Sequence, residues 1–175
     1  MRVAVYGGSF DPPHVGHAMV AAWLGWTRRV DEVWLVPTYQ HAFEKDLAPF
    51  DTRVALCEAM ARSLGPHVRV DRVEERLERP SYTIHTLEAL ARAHPEHSFR
   101  LVIGSDVLEQ TDAWHRWDLI EERFVPVVVG RVGYEEVPGA PSFPPVSSTE
   151  VRRALRAGES VAHLVPGVVL DLLDG

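Results

Sequence analysis

Cysteine is nearly absent: Cys57 is the only one in 175 residues. That excludes an internal disulfide and any metal site built from clustered thiolates. Cys57 lies in the apolar-periodic stretch RVALCEAMA, which predicts a buried helix position and not a reactive thiol. Basic charge is also scarce, with 18 Lys and Arg against 25 Asp and Glu and a net charge of −7. Such a balance argues against a general nucleic-acid binder, yet leaves room for a local basic pocket that takes a small anion. Long hydrophobic runs are missing too. The N-terminal MRVAVYGG lacks the apolar stretch of a signal peptide, and no segment approaches membrane-spanning length. A cytoplasmic protein is expected. Two common glycine fingerprints are likewise absent, since no G-x-G-x-x-G follows the first apolar run and no P-loop Gly-Lys-Ser/Thr occurs there.

What remains is 46% hydrophobic and 25% charged, enough to bury a core in one domain over 1–175. Apolar β-rich runs alternate with helical periodicity. RVAVY (2–6), EVWLVP (32–37), HVRVDRV (67–73), FRLVIG (99–104) and FVPVVVG (124–130) predict strands. HAMVAAWLGWT (17–27), DTRVALCEAMARSL (51–64, with Asp51 as N-cap), SYTIHTLEALARAH (81–94) and the piece within 112–123 predict helices. This alternation implies βαβ units and an α/β fold with a doubly wound, Rossmann-like parallel sheet. The Pro- and Gly-rich stretch 131–146 predicts a loop or short edge strand. A helical C-terminal part (147–175) follows, carrying SSTEVR with Ser148 before the helix start and Gly158 at its end.

The connection after the first strand, GGSFDPPHVGH (7–17), sits where a doubly wound sheet binds ligands. Gly7 and Gly8 permit close backbone approach, and the following helix start offers N–H groups to an anion. His14 and His17 are a pair of imidazoles at that helix start. From residue chemistry alone they read as a phosphate clamp, as a cap with an incidental surface histidine, or as part of a metal site that would need further ligands.

The same stretch matches the signature G-G-[ST]-F-[DN]-P-x-H-x-G-H of the nucleotidyltransferase superfamily, filled by Gly7, Gly8, Ser9, Phe10, Asp11, Pro12, His14, Gly16 and His17. The resemblance implies the nucleotidyltransferase (HUP-like) version of the predicted sheet, with His14, His17 and Arg152 catalytic and with Gly7, Gly8, Ser9, Phe10 and Gly16 joining the two histidines in holding ATP. VSSTEVRRAL (146–155) resembles the superfamily's second signature. There Ser147, Ser148 and Thr149 start a helix whose Arg152 grips phosphate, a task a guanidinium suits.

Two more segments resemble bacterial nicotinate-nucleotide adenylyltransferases. In RPSYTIHTLEAL (79–90) the resemblance assigns Tyr82 and Thr83 to the pyridine carboxyl group; an ordinary N-cap would explain the same residues. In LVIGSDVLEQTDAWHRWDLI (101–120) it assigns Gly104 and Asp106 to adenosine and Trp114 to stacking on the pyridine ring, with Trp117 in the core. The family's Pro-His-Lys/Arg triplet after the second strand is replaced by PTYQHAFEK, which leaves Lys45 for the phosphate role with His41 beside it. The implied reaction is adenylyl transfer from ATP to nicotinate or nicotinamide mononucleotide, with Mg²⁺ arriving on ATP and no metal held by the protein itself. The implied partners are these small molecules, neither nucleic acid nor membrane, with a homo-oligomer left open. Phosphopantetheine adenylyltransferase and cytidylyltransferase activities are alternatives on the same scaffold, which SYTIHTL and Trp114 disfavour. A non-catalytic nucleotide-binding module is another.

Overall fold

The computed structural model describes residues 1–39, 47–79 and 82–174. Six strands form one parallel sheet: β1 (Arg2–Gly8), β2 (Glu32–Pro37), β3 (Val68–Val70), β4 (Ser98–Gly104), β5 (Val127–Arg131) and β6 (Ser142–Phe143). Their order is β3-β2-β1-β4-β5-β6. The sheet therefore reverses its winding between β1 and β4, the place where open α/β sheets leave a crevice beyond their carboxyl ends.

The helices are α1 (Val15–Trp26), α2 (Phe50–Leu64), α3 (Thr83–Ala93), α4 (Ser105–Leu108), α5 (Trp117–Phe124), α6 (Ser148–Arg156) and α7 (Gly167–Asp174). Side-chain alternation along the strands decides which helices cover which face. Ala4, Val33, Leu35 and Val102 join a core with Leu24 of α1, Met60 and Cys57 of α2, Val151 of α6 and Val169 of α7. Their strand neighbours Val3, Val5, Trp34, Val36 and Leu101 point the other way, onto Leu87 and Leu90 of α3 and Ile120 and Phe124 of α5. Runs that are apolar at every position are what a strand buried on both faces requires. Cys57 is fully buried, and burial pushes its thiol pKa up, as expected for an inert core residue.

Several boundaries differ from the sequence expectation. Only Val68–Val70 of the third apolar run is strand; Asp71 then accepts a hydrogen bond from the Val73 N–H (2.8 Å), and the chain turns into a 3₁₀ helix, Val73–Arg76. The helix expected within 112–123 is broken, because Arg116 adopts φ +56°; Thr111–Ala113 forms a short 3₁₀ turn and α5 starts at Trp117. Asp51 does not cap α2 but lies in its first turn, paired with Arg72 at 2.6 Å. Ser147, not Ser148, caps α6, its hydroxyl accepting from the Glu150 N–H at 3.2 Å. Among the described residues no helix is long and apolar enough to cross a membrane.

One buried cation holds the crevice's floor. Arg53 of α2 is 1% exposed, donating Nη1–H to the Ser9 carbonyl (2.8 Å) and Nε–H to the Ala48 carbonyl (2.9 Å). It thereby joins the turn after β1 to the segment that enters α2. A third, longer bond runs from Nη2 to the Tyr39 carbonyl (3.5 Å), so Arg53→Met removes three donors and leaves three carbonyls to find others. We expect a loss of about 3 kcal/mol, read from the urea midpoint. A loss below about 1 kcal/mol would show that solvent satisfies these carbonyls and that Arg53 is not a brace.

Candidate active site

A cleft of about 960 Å³ opens at the carboxyl ends of β1 and β4. Its floor is the turn after β1. Phe10 takes φ +47° there and is itself 1% exposed, a left-handed conformation that a bulky residue holds only when its surroundings fix it. The Asp11–Pro12 peptide bond is cis. Phe10 packs on the His17 ring with centroids 4.7 Å apart. His14 closes the turn as the N-cap residue of α1, and its ring stacks on His17 at 3.7 Å and 22°. Gly16 makes that stacking possible, since a Cβ there would lie 3.1 Å from the His14 ring.

Both imidazoles are neutral in the free protein. Burial lowers the His14 pKa to about 4, and the Arg131 guanidinium adds to the effect. Burial also holds His17 well below the usual imidazole range, with a charged His14 and Arg131 as additional opposition. The His14 N–H donates to Nδ1 of His17 (3.2 Å), so the neutral His17 ring carries its proton on Nε2. The pair is a set of neutral hydrogen-bond donors and acceptors before any anion arrives.

Among the described residues lining the cleft, positive charge comes from two arginines. Arg152, one turn into α6, donates to the Asp11 carbonyl, pairs with the Asp11 carboxylate at 3.5 Å, and reaches Thr149 Oγ1 at 3.4 Å. Ser148 Oγ donates to the Pro12 carbonyl at 2.9 Å, so the helix start and the turn are joined twice. Arg131, at the end of β5, pairs with Asp106 at 2.9 Å and donates to the Val146 carbonyl at 3.3 Å. A Cβ at Gly104 would sit 2.3 Å from Asp106 Oδ1, so the glycine keeps that carboxylate in place.

The far wall comes from the other face of the sheet. Tyr82 is the N-cap residue of α3, with Thr83 as its first helical residue. The first N–H groups of that helix have no partner within it. Trp114 ends the 3₁₀ turn, edge-on to Trp117 at 5.7 Å. Trp117 is partly buried against the α3/α5 core, as expected. Glu74 ties this wall to β2's exit, accepting from the Tyr39 N–H and Thr86 Oγ1 at 3.0 Å each.

Sixteen of the eighteen residues singled out from sequence line this one cleft: Gly7, Gly8, Ser9, Phe10, His14, Gly16 and His17 on the floor; Gly104, Asp106, Ser147, Ser148, Thr149 and Arg152 on one side; and Tyr82, Thr83 and Trp114 on the other. His41 and Lys45 lie outside the described residues. Sequence reading missed Asp11 as the partner of Arg152, Arg131 as the partner of Asp106, and His115, whose ring lies 4.6 Å from Tyr82. Asp11 belongs to the first signature and Arg131 ends an apolar run; neither spacing discloses its partner.

Comparison with known proteins settles the family. The sequence profile described as cytidylyltransferase-like matches residues 5–154. The chain belongs to that family. Among curated members, the probable nicotinate-nucleotide adenylyltransferase of Anaeromyxobacter sp. (strain K) is 48% identical over 175 residues, covering 99% of this chain and 94% of that one. The corresponding Myxococcus xanthus protein is 40% identical, with 95% and 88% covered. Among solved structures, Plasmodium falciparum nicotinic acid mononucleotide adenylyltransferase complexed with NaAD superposes with a TM-score of 0.82 over 98% of this chain and 94% of that one. At 19% identity that likeness speaks for the fold. It is the doubly wound α/β sheet expected from the alternation of strands and helices.

The neutral histidines make stability pH-dependent in a definite direction. An unfolded His14 titrates near 6.5 and the folded one near 4, so the unfolded chain takes up the proton first as pH falls. Stability is therefore complete above pH 6.5 and declines between 6.5 and 4. His14→Asn should flatten the decline by up to about 1 kcal/mol per pH unit in ligand-free protein, measured by urea titration across that window. An unchanged slope would mean that the folded ring protonates freely.

Proposed function

We propose that this cytidylyltransferase-like protein transfers the adenylyl group of ATP to nicotinate mononucleotide, forming the dinucleotide and releasing pyrophosphate in NAD biosynthesis. One observation carries the reading. The two signature stretches and the Tyr82–Thr83 and Trp114 segments, distant in sequence, line a single cleft large enough for a nucleotide pair. The names of the full-length relatives favour the nicotinate over the nicotinamide acceptor.

The acceptor's phosphate is already ionised at neutral pH, so one of its oxygens attacks the α-phosphorus of ATP without a protein base. The bond from that phosphorus to the β,γ-pyrophosphate breaks in line. Catalysis is then positioning and charge stabilisation. His17 Nε2–H and the His14 ring hold phosphate oxygens at the floor, and the α6 start with Arg152 holds the polyphosphate. Gly7 and Gly8 let the nucleotide lie close to the backbone, while Asp106 serves the adenosine half. Tyr82 and Thr83 present the start of α3 to the pyridine carboxylate, and Trp114 stacks on the ring. Lys45, with His41 beside it, takes the remaining phosphate. Mg²⁺ enters with ATP as part of the substrate. The setting is the cytoplasm.

His17→Ala should lower kcat by about 10² or more, as loss of one preorganised donor does elsewhere. A near-wild-type rate of pyrophosphate release would remove His17 from the mechanism. Trp114→Ala should raise KM for the mononucleotide with little change in KM for ATP. The decisive measurement is kcat/KM for nicotinate and nicotinamide mononucleotides side by side. Equal values would refute the acceptor preference, and no pyrophosphate release with either would refute the reading.

A further inference from the structure

The parallel sheet has two ends, and the cleft occupies one. At the other, the turn from α3 into β4 reads His94-Pro95-Glu96-His97. One ligand atom from each of His94, Glu96 and His97 lies within 4.8 Å of the others, the set of three that converges in this way among the described residues. Nδ1 of His94 is 3.8 Å from Oε1 of Glu96, and Nε2 of His97 is 3.3 Å from the same oxygen. With metal–ligand bonds of about 2.0–2.2 Å, neighbouring ligand atoms of a tetrahedral site stand roughly 3.3–3.5 Å apart. Two of the three edges are already close to that spacing.

The arrangement is held by packing. The two imidazole planes are within 6° of parallel, and both rings meet the buried Trp34 indole edge-on, at 5.0 and 5.9 Å. Trp34 is itself fixed by its Nε1–H donating to Glu32 at 2.7 Å. The His97 N–H donates to the His94 carbonyl (3.0 Å) and closes the turn; the Ser98 N–H donates to the Met1 carbonyl (2.9 Å) and ties it to β1. Little ordering of the two rings is left for a ligand to impose. The Glu96 side chain is 61% exposed and the His94 side chain 33%, against 12% for His97. An ion thus reaches the site from solvent and keeps an open position for water.

We propose that His94, Glu96 and His97 form a binding site for a divalent transition-metal ion of the Zn²⁺ type, at the end of the sheet opposite the cleft. Two imidazoles and one carboxylate suit Zn²⁺, Ni²⁺ or Cu²⁺ and not the all-oxygen preference of Mg²⁺ and Ca²⁺. The seven residues of β4, at about 3.3 Å each, put Gly104 roughly 20 Å from this turn. The ion therefore takes no part in phosphoryl chemistry. It staples the α3–β4 turn and stabilises the fold by binding the native state alone.

The test is calorimetric titration of the chelator-treated full-length protein with Zn²⁺, paired with thermal melts in Zn²⁺ and in EDTA. The expected result is one ion per chain with micromolar Kd and a Tm several degrees higher in Zn²⁺. Glu96→Gln, at the most exposed of the three positions, should weaken binding at least tenfold, and His97→Ala should abolish it together with the Tm gain. A His14→Asn/His17→Asn double variant should bind as wild type does. Co²⁺ should give the intense visible absorption of a four-coordinate site in wild type and lose it in His97→Ala. The proposal is overturned by absence of binding below millimolar Zn²⁺, by a titration that Glu96→Gln leaves unchanged, or by one that disappears with His14 and His17.

Discussion

Two imidazoles stacked 3.7 Å apart in a buried turn cannot both carry a proton at modest cost. The rest of the cleft is organised around that constraint. The floor supplies neutral donors, and formal positive charge stands to the side on Arg131 and Arg152. Each guanidinium has a carboxylate, Asp106 for the first and Asp11 for the second. The 2.9 Å pair of Arg131 is the closer, while Arg152 sits 3.5 Å from its carboxylate. Under the proposed function, a polyphosphate in the cleft would compete with Asp11 for Arg152 and would favour protonation of the histidines, against the burial that keeps them neutral.

The sheet order explains why one cleft is shared by residues so far apart in the chain. Winding reverses between β1 and β4, so α1 and α6 stand on one face and α3 and α5 on the other. The turn after β1 is joined on its own face by Ser148 and Arg152 of α6. Across the sheet, the first turn of α3 and the 3₁₀ turn before α5 close the opposite wall. A reaction joining two nucleotides needs two walls with a fixed gap, and a rigid parallel sheet supplies it.

Local features of this arrangement were legible in the sequence. Strand runs such as EVWLVP are apolar at every position because both faces are covered, and the signature turn is contiguous, so its residues could be named together. The failures are of two kinds. Arg116 turns left-handed between residues with helical periodicity, and the periodicity gives no warning of the break. The partners Asp11–Arg152, Asp106–Arg131 and Arg53–Ser9 join positions 25 to 141 residues apart. Such pairings follow from the packing of elements, and no spacing within a single element encodes them. Nothing in the helical periodicity marks Arg53 for burial either, yet it is sealed against backbone carbonyls.

These long-range braces bear directly on catalysis. Ser148 and Arg152 lock α6 to the turn, Arg53 locks the turn to the segment entering α2, and Glu74 locks the β2 exit to α3. The bonds of Arg53 to the Ser9 and Ala48 carbonyls and of Glu74 to Tyr39 and Thr86 join one segment to another. In-line displacement nevertheless depends on the separation of nucleophile and phosphorus, and a misplacement of about 1 Å costs on the order of 10²-fold in rate. That is the same order as losing a donor from the floor. Under the proposed function, a side chain that only holds two segments together can therefore matter to turnover as much as a donor on the floor does. Its effect is distinguishable, because weakening a brace lowers stability along with rate. Under the proposed function, removing His17 takes away a donor and also a buried ring that disfavours protonation, so a lower rate would go with improved stability at acidic pH relative to neutral pH.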